Sequence, residues 1–163
     1  MRCPENRTLD ICVAATLGRN YAALMLMLKS KNMELIPCIQ TLAHLNALNR
    51  WPEYKEHFDV DDILLAQDER VYLLIDHMFA TLADSFTSRV VHIGMDEAHL
   101  LGRGRYADLH GVEERFGIMA RHLRRVCDIG EKYGFRFLYV VRYVFSVWHL
   151  VETTTSRKRS VTK

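Results

Sequence analysis

The spacing of apolar residues predicts two buried strands separated by a long helix in the middle of the chain. Residues 34–40 (Glu-Leu-Ile-Pro-Cys-Ile-Gln) form a short apolar run that is typical of a buried strand. Residues 68–86 have helical periodicity, and their apolar positions fall on one face: Val71, Leu74, Ile75, Met78, Leu82 and Phe86. The apolar run within residues 90–95 predicts a second short strand.

The segment between the first strand and the helix reads as a polar loop. It runs through Thr41, His44, Asn46, Trp51 and Pro52. Asp61 and Asp62 further along are candidate signals for the start of a helix.

Beyond residue 111 the pattern predicts a second helix and a third strand. Residues 112–133 are amphipathic, with Gly134 as the expected C-terminal cap and a buried face made of Phe116, Met119, Leu123, Val126 and Cys127. Residues 135–145 are rich in valine, tyrosine and phenylalanine and predict a strand. The order strand, helix, strand, helix, strand is typical of βαβ units, so we expect an α/β fold with a parallel sheet.

Composition places the chain among ordinary globular proteins. It has 163 residues, of which 49% are hydrophobic and 26% charged, with a net charge of +2. This balance gives no indication of a nucleic-acid or membrane partner. The four cysteines have no Cys-x-x-Cys spacing, and we expect reduced thiols. The apolar stretch over residues 11–28 contains Arg19 and Asn20 and lacks the features of a signal peptide, so we expect a cytoplasmic location.

Two adjacent carboxylates follow the second predicted strand directly. Asp96 and Glu97 come just after Gly94, and His92 lies on the strand itself. Parallel α/β folds bind their ligands at the carboxyl ends of the strands, so this pair is the leading candidate for a functional site. The alternative is that both carboxylates only cap the loop or helix that follows.

The residues around this pair resemble the signature strand of the glycoside hydrolase family 20 β-N-acetylhexosaminidases. The family pattern His-x-Gly-x-Asp-Glu is met by His92, Gly94, Asp96 and Glu97. Its continuation over residues 98–106 (Ala-His-Leu-Leu-Gly-Arg-Gly-Arg-Tyr) is similar to a bacterial-type branch of that family. The resemblance implies a (β/α)8 TIM barrel, which typically needs about 250 residues. We therefore expect an incomplete (β/α)8 TIM barrel built from parallel βαβ units.

Both ends of the chain depart from the pattern of that family. Codons for residues 139–145, read from the second base, can encode Met-Trp-Ser-Asp-Met-Phe, which resembles the expected family strand. Codons for residues 4–28, read from the third base, can also encode family-like sequence. We therefore expect three segments: an atypical, frame-shifted segment over 1–28, a partial family 20 catalytic domain over 29–136, and an atypical, frame-shifted tail over 137–163.

The resemblance implies hydrolysis of terminal N-acetyl-hexosamine residues with retention of configuration. In this substrate-assisted mechanism the nucleophile is the 2-acetamido oxygen of the substrate itself. By resemblance, Asp96 orients the acetamido group and stabilises the oxazolinium-like intermediate, and Glu97 acts first as the general acid and then as the general base. No metal ion and no cofactor is implied. The choice between gluco and galacto substrates stays open.

His44, His92 and Trp51 are further candidates for substrate binding or for support of the acidic pair. His44 matches a family histidine and is expected to hydrogen-bond Glu97 or a sugar hydroxyl, the alternative being a solvated loop histidine. His92 faces away from Val91 on its strand and is expected to fill the barrel interior or to brace the pair. Trp51 is expected to stack on a sugar ring or to pack on a helix.

Two other interpretations compete with the sugar hydrolase. Residues 96–99 (Asp-Glu-Ala-His) also spell a motif of the DEAH-type helicases, but no Gly-Lys-Ser/Thr phosphate loop precedes them. The stronger alternative is a catalytically inactive, truncated remnant, because three βα units leave strand edges unpaired. Such edges favour self-association. The expected partner is a glycan or glycoside that contains N-acetyl-hexosamine, and neither nucleic acid nor a membrane is expected.

Overall fold

A computed structural model describes residues 20–138 of the chain, with side chains described from residue 24 onward. The helices are Asn20–Ser30 (α1), Asn46–Asn49 (α2), Glu69–Ser85 (α3), Arg105–His110 (α4) and Arg115–Glu131 (α5), with a 3-10 helix at Pro52–His57. The strands are Phe58–Val60 (β1), Ile63–Leu64 (β2), Val90–His92 (β3) and Arg136–Leu138 (β4). Most of the two segments predicted to be frame-shifted lies outside the described residues. No helix within residues 20–138 has the length and apolar character needed to span a membrane.

Strand β3 lies at the centre of a parallel sheet. On one side it pairs with β4, with Val90 opposite Arg136. On the other side His92 forms a parallel bridge with Cys38, and the Ile39 N–H donates to the His92 carbonyl at 2.8 Å. The predicted parallel α/β arrangement is therefore present, as three adjacent segments whose carboxyl ends share one edge.

The segments of this sheet are shorter than the sequence predicts. The predicted strand over 34–40 is reduced to the bridge at Cys38. The predicted strand over 90–95 ends at His92, because Gly94 and Met95 have φ values of 68° and 74°, outside the extended region. Of the predicted strand over 135–145, β4 covers the first part, and residues 139–145 lie outside the described residues.

A β-hairpin is present where Asp61 and Asp62 predicted the start of a helix, and the short helix α2 interrupts the predicted polar loop. Strands β1 and β2 pair antiparallel, with Phe58 opposite Leu64, and Ile63 is also buried. Asp61 has a φ of 49° in the turn between the two strands. The assignment of Asp61 and Asp62 to a helix start was wrong because aspartate also tolerates the left-handed conformation that tight turns require.

Helix α3 has the predicted position and the predicted buried face. It begins after Asp68, whose side chain caps the helix by accepting the Arg70 N–H at 2.8 Å. Its predicted apolar face is buried, apart from the half-buried Met78.

Helix α5 begins three residues later than the predicted start at residue 112. The side chain of Glu114 caps it by accepting the Gly117 N–H at 2.9 Å. Gly134 has a φ of 76°, and the N–H of the next residue, Phe135, donates to the Gly130 carbonyl at 3.2 Å, so the chain leaves the helix through a left-handed glycine as predicted. Of its predicted face, Phe116 and Cys127 are only half-buried, and the buried members are Met119, Leu123 and Val126.

The two long helices pack together with the aid of a glycine. The ring of Phe79 on α3 contacts the rings of Phe135 and Phe137, with centroid distances of 5.7 and 6.2 Å. A Cβ atom at Gly130 would lie 2.6 Å from Cε1 of Phe137 and 3.0 Å from Cε1 of Phe79. The close approach of α5 to this aromatic cluster therefore requires a residue without a side chain.

A buried relay of hydrogen bonds connects these helices to the carboxyl edge of the sheet. The Tyr72 hydroxyl donates to Nδ1 of His122 at 3.2 Å, and Nε2–H of His122 donates to the Thr41 carbonyl at 2.8 Å. The Thr41 hydroxyl in turn donates to the Ile93 carbonyl at 2.9 Å. His122 is fully buried, and burial lowers its pKa to about 4, so the ring is neutral at pH 7.

Substitution of Gly130 by alanine is expected to destabilise the protein by about 1–3 kcal/mol, because the added methyl group overpacks the aromatic cluster. Gly117, in the first turn of the same helix, is the matched control, since a Cβ there would meet no atom closer than 3.6 Å. Alanine is the better helix former, so Gly117→Ala is expected to cost nothing. Urea unfolding of both full-length variants tests this expectation. Equal effects of the two substitutions would contradict it.

The stability of the protein is expected to decrease as the pH is lowered, because of His122. Its pKa is about 4 in the folded chain and ordinarily 6.5, so the unfolded chain takes up the proton first as the pH falls through 6.5 toward 4. Protonation of this single group in the unfolded chain then lowers the free energy of unfolding by about 2 kcal/mol between pH 7 and pH 5. His122→Gln does not titrate, and urea unfolding at both pH values is expected to show a pH effect smaller by that amount. An unchanged pH effect would contradict the assignment.

Candidate functional site

The turn that follows β3 has an unusual run of left-handed backbone. Gly94, Met95 and Glu97 have φ values of 68°, 74° and 56°. Each such residue other than glycine costs on the order of 1–3 kcal/mol and persists only where the surroundings hold it. Strained backbone of this kind is concentrated at functional sites, and here it carries the predicted acidic pair.

Gly94 allows the neighbouring segment of the sheet to approach closely. A Cβ atom at this position would overlap the Gln40 side-chain amide and would lie 3.1 Å from the Ile39 carbonyl oxygen. The glycine of the His-x-Gly-x-Asp-Glu pattern is thus required for its positive φ, and its lack of a Cβ also leaves room for the Gln40 side chain.

His44 lies between the two carboxylates. Its Nε2 atom is 3.4 Å from Oδ2 of Asp96 and 3.7 Å from Oε2 of Glu97, and its Nδ1 atom is 4.0 Å from Oδ2 of Asp62. His44 itself has a φ of 62°. The loop after the Cys38 segment and the turn after β3 thus bring together three of the predicted site residues at the carboxyl edge of the sheet.

The three side chains differ in their contact with solvent. The Asp96 side chain is 31% exposed, His44 39% and Glu97 65%. Asp96 is therefore the most sheltered member of the cluster, and Glu97 reaches furthest into solvent. The cluster as a whole is an open, negatively charged rim with one imidazole between the charges.

His92 supports the turn from within the sheet. Its Nδ1 atom accepts the Gly94 N–H at 3.2 Å and lies 3.4 Å from Sγ of Cys38. The imidazole therefore fixes the backbone just before the acidic pair. Partial burial and, to a smaller extent, the charge of Asp96 raise the pKa of the neighbouring Cys38 thiol.

Asp59 holds the continuation of the motif, a role that was not predicted from the sequence. This buried side chain on β1 accepts the backbone N–H groups of Gly102, Gly104 and Tyr106 at 2.6, 3.2 and 2.8 Å. Its position between two apolar residues, Phe58 and Val60, was the available signal, since a carboxylate in an apolar run needs partners when it is buried.

Tyr106 links the same segment to α5. Its ring is fully buried, and its hydroxyl donates to Glu113 at 2.8 Å and accepts from Arg121 at 3.1 Å. Burial, together with the hydrogen bond to Glu113, raises the pKa of this phenol. The Gly-Arg-Gly-Arg-Tyr segment is therefore anchored at both ends of its turn.

His122 is a second residue that the sequence analysis missed. It lies on the buried face of α5, because it follows Ile118 and Met119 by one helical turn and precedes Val126 by another. A histidine at such a position was the available signal. Both of its ring nitrogens make hydrogen bonds, so its burial leaves no polar atom unpaired.

The remaining predicted residue, Trp51, and the motif residue His99 lie around the cluster rather than in it. Trp51 precedes the 3-10 helix and is 47% exposed, and within residues 20–138 no hydrogen bond or ion pair joins it to the acidic pair. The backbone of His99 donates to the Glu97 carbonyl at 2.7 Å and accepts from the Arg115 side chain at 3.1 Å.

A shallow pocket beside Glu97 is lined by Met95, Ala98, Phe116 and Met119, among others. In the described part of the chain, no group of histidine, cysteine and acidic side chains has the geometry to hold a metal ion.

No family model and no curated protein matches the sequence of this chain. Solved structures do match its fold. A β-N-acetylhexosaminidase superposes with a TM-score of 0.62 at 19% identity, over 72% of this chain and 29% of the other. The family 20 β-N-acetylhexosaminidase from Streptomyces coelicolor A3(2) gives 0.55 at 22% identity, over 73% and 24%.

The family 20 exo-β-N-acetylglucosaminidase from Vibrio harveyi, solved in complex with N-acetylglucosamine, gives a TM-score of 0.58 at 19% identity. This match covers 72% of the present chain and 21% of the other. The chain thus spans less than a third of the length of each of these enzymes. Its described residues have the fold of a part of the solved glycoside hydrolase family 20 β-N-acetylhexosaminidases, and the resemblance inferred from the acidic motif holds at the level of the fold.

Proposed function

We propose that the chain is an incomplete (β/α)8 barrel that hydrolyses terminal β-linked N-acetyl-hexosamine residues at the carboxyl edge of its sheet. The observation that carries the proposal is the convergence of Asp96, Glu97 and His44 there, with Nε2 of His44 within 3.7 Å of both carboxylates. The similarity in fold to family 20 enzymes supports the same reading.

We infer that the two neighbouring carboxylates act on different groups of the sugar, one on the 2-acetamido group and the other on the glycosidic oxygen. Asp96 accepts a hydrogen bond from the acetamido N–H, while the acetamido oxygen attacks the anomeric carbon. Glu97 gives its proton to the glycosidic oxygen as the bond to that carbon breaks. Water then attacks the anomeric carbon of the oxazolinium intermediate, and Glu97 takes up its proton. His44 lies within ion-pair distance of both carboxylates and is proposed to hold their spacing.

A catalytically inactive remnant of the same fold is the second candidate. The Glu97 side chain is 65% exposed, whereas a general acid that works at neutral pH is usually sheltered from water. The chain also spans less than a third of the length of the solved enzymes. An inactive chain keeps the fold around Asp96 and Glu97 and does not turn over substrate.

Replacement of Glu97 by glutamine tests the catalytic proposal. With a β-N-acetylglucosaminide whose leaving group is a sugar alcohol, the rate is expected to fall by about 10²–10⁴-fold, because the proton donor is lost. With a 4-nitrophenyl leaving group the loss is expected to be smaller, since this group departs without a proton. Asp96→Asn is expected to slow both substrates, because both reactions need the acetamido group held in place.

Asp108→Asn on α4 is the matched control, since it removes an exposed carboxylate away from the cluster and is expected to leave both rates unchanged. Absence of turnover by the unmodified chain at high enzyme concentration favours the inactive remnant. Equal losses in the Glu97→Gln and Asp108→Asn variants would contradict the assignment of the acid.

We also propose that the chain associates with itself through the sides of its parallel sheet. Ile36 and Leu138, which flank the sheet on its two sides, are 40% and 45% exposed. Sedimentation velocity is expected to show concentration-dependent association that weakens in the Ile36→Lys and Leu138→Lys variants, because charges disfavour strand pairing at an edge. Leu73→Lys, which changes an exposed leucine on α3, is the control. A monomer at all concentrations would contradict this proposal.

A further inference from the structure

The buried relay ends at the two segments that form the candidate site. Thr41 lies three residues before His44, and Ile93 lies three residues before Asp96. The Thr41 hydroxyl and the Thr41 N–H both contact the Ile93 carbonyl oxygen, at 2.9 and 3.2 Å. Thr41 therefore clamps the loop that carries His44 to the strand end that carries the carboxylates.

Other bonds of the His44 loop run in a different direction. The Leu42 carbonyl accepts the Leu64 N–H at 2.8 Å, and the Leu45 N–H donates to the Asp62 carbonyl at 3.4 Å. Both contacts tie the loop to the β-hairpin. The clamp at Thr41 is therefore the backbone connection that fixes the loop relative to the acidic turn.

His122 sets the orientation of this clamp from α5. Its Nε2–H donates to the Thr41 carbonyl, and its Nδ1 atom accepts from the Tyr72 hydroxyl. These two bonds select one tautomer and one orientation of the imidazole ring. Its neighbours on the buried face of α5 are apolar: Ile118, Met119, Leu123 and Val126. A leucine of similar size would satisfy the packing but would leave the Thr41 carbonyl without this partner.

We propose that His122 is a positioning residue, which holds the His44 loop in register with Asp96 and Glu97 through the Thr41 carbonyl. The expected effect of His122 on catalysis rests on the proposed function. The expected effect on the position of the His44 loop does not, so the two effects are tested separately.

The geometric test is an NMR measurement on the full chain. The ring signals of His44 are recorded with and without the Asp96→Asn substitution, in the unmodified chain and in His122 variants. In the unmodified chain Asp96→Asn is expected to shift these signals, because His44 Nε2 lies 3.4 Å from the Asp96 carboxylate. In His122→Leu, which removes the bond to Thr41, this response is expected to fall at least about twofold, because the Coulomb effect of a charge weakens as the separation grows.

Two further variants separate positioning from simple packing. His122→Gln places an amide N–H where Nε2–H of the histidine lies and is expected to restore the response. Tyr72→Phe removes only the hydroxyl that contacts Nδ1, leaves the bond to Thr41 in place and is also expected to respond as the unmodified chain does.

An undiminished response in His122→Leu would overturn the proposal. If His122→Leu does not fold, His122→Asn, whose shorter amide does not reach the Thr41 carbonyl, takes its place. If neither the leucine nor the asparagine variant folds while the glutamine variant does, the role of His122 is purely structural. That outcome would also overturn the proposal.

The kinetic arm uses the same variants and a 4-nitrophenyl N-acetyl-β-glucosaminide. His122→Leu is expected to lower kcat by about tenfold or more with little change in KM, because the misplaced groups act in the chemical step, and His122→Gln is expected to recover most of it. Absence of turnover in the unmodified chain would remove the proposed function and leave the NMR result to decide the positioning role. Equal kcat values in the leucine and unmodified chains would contradict the role in catalysis.

Discussion

At the carboxyl edge of the sheet, Gly94 leaves β3 with a φ of 68° and lies beside the neighbouring parallel segment, near the Ile39 carbonyl and the Gln40 side chain. Backbone hydrogen bonds from Ile39 to His92 and from Thr41 to Ile93 align the two strand ends at this edge. The chain leaves one of them through the loop of His44 and the other through the left-handed turn of Glu97. The distances between the imidazole and the carboxylates follow from that alignment, and the Thr41 clamp maintains it.

Features that depend on local spacing could be predicted from the sequence. The buried face of α3, the left-handed glycine after α5 and the emergence of Asp96 and Glu97 from a strand end all follow from patterns within a few residues. The proximity of His44 to the acidic pair followed instead from the family resemblance.

Features that depend on distant partners could not be predicted in this way. Asp59 binds backbone groups 43 to 47 residues away, and His122 binds a carbonyl 81 residues away. Nothing in the neighbouring sequence of either residue specifies such a partner. The β-hairpin was missed for a different reason, because Asp61 serves a left-handed turn as readily as a helix start. The predicted strand over 90–95 is shorter than expected because Gly94 and Met95 adopt left-handed backbone, which the apolar pattern does not indicate.

We infer that the edge of the sheet receives an acetamido sugar. A stable bicyclic analogue of the oxazolinium intermediate tests this claim without requiring turnover, by NMR titration of the full chain. We predict shift changes confined to residues 41–45 and 93–97, and their loss in the Asp96→Asn variant. An absence of shift changes at millimolar analogue, or changes at other residues alone, would contradict the claim.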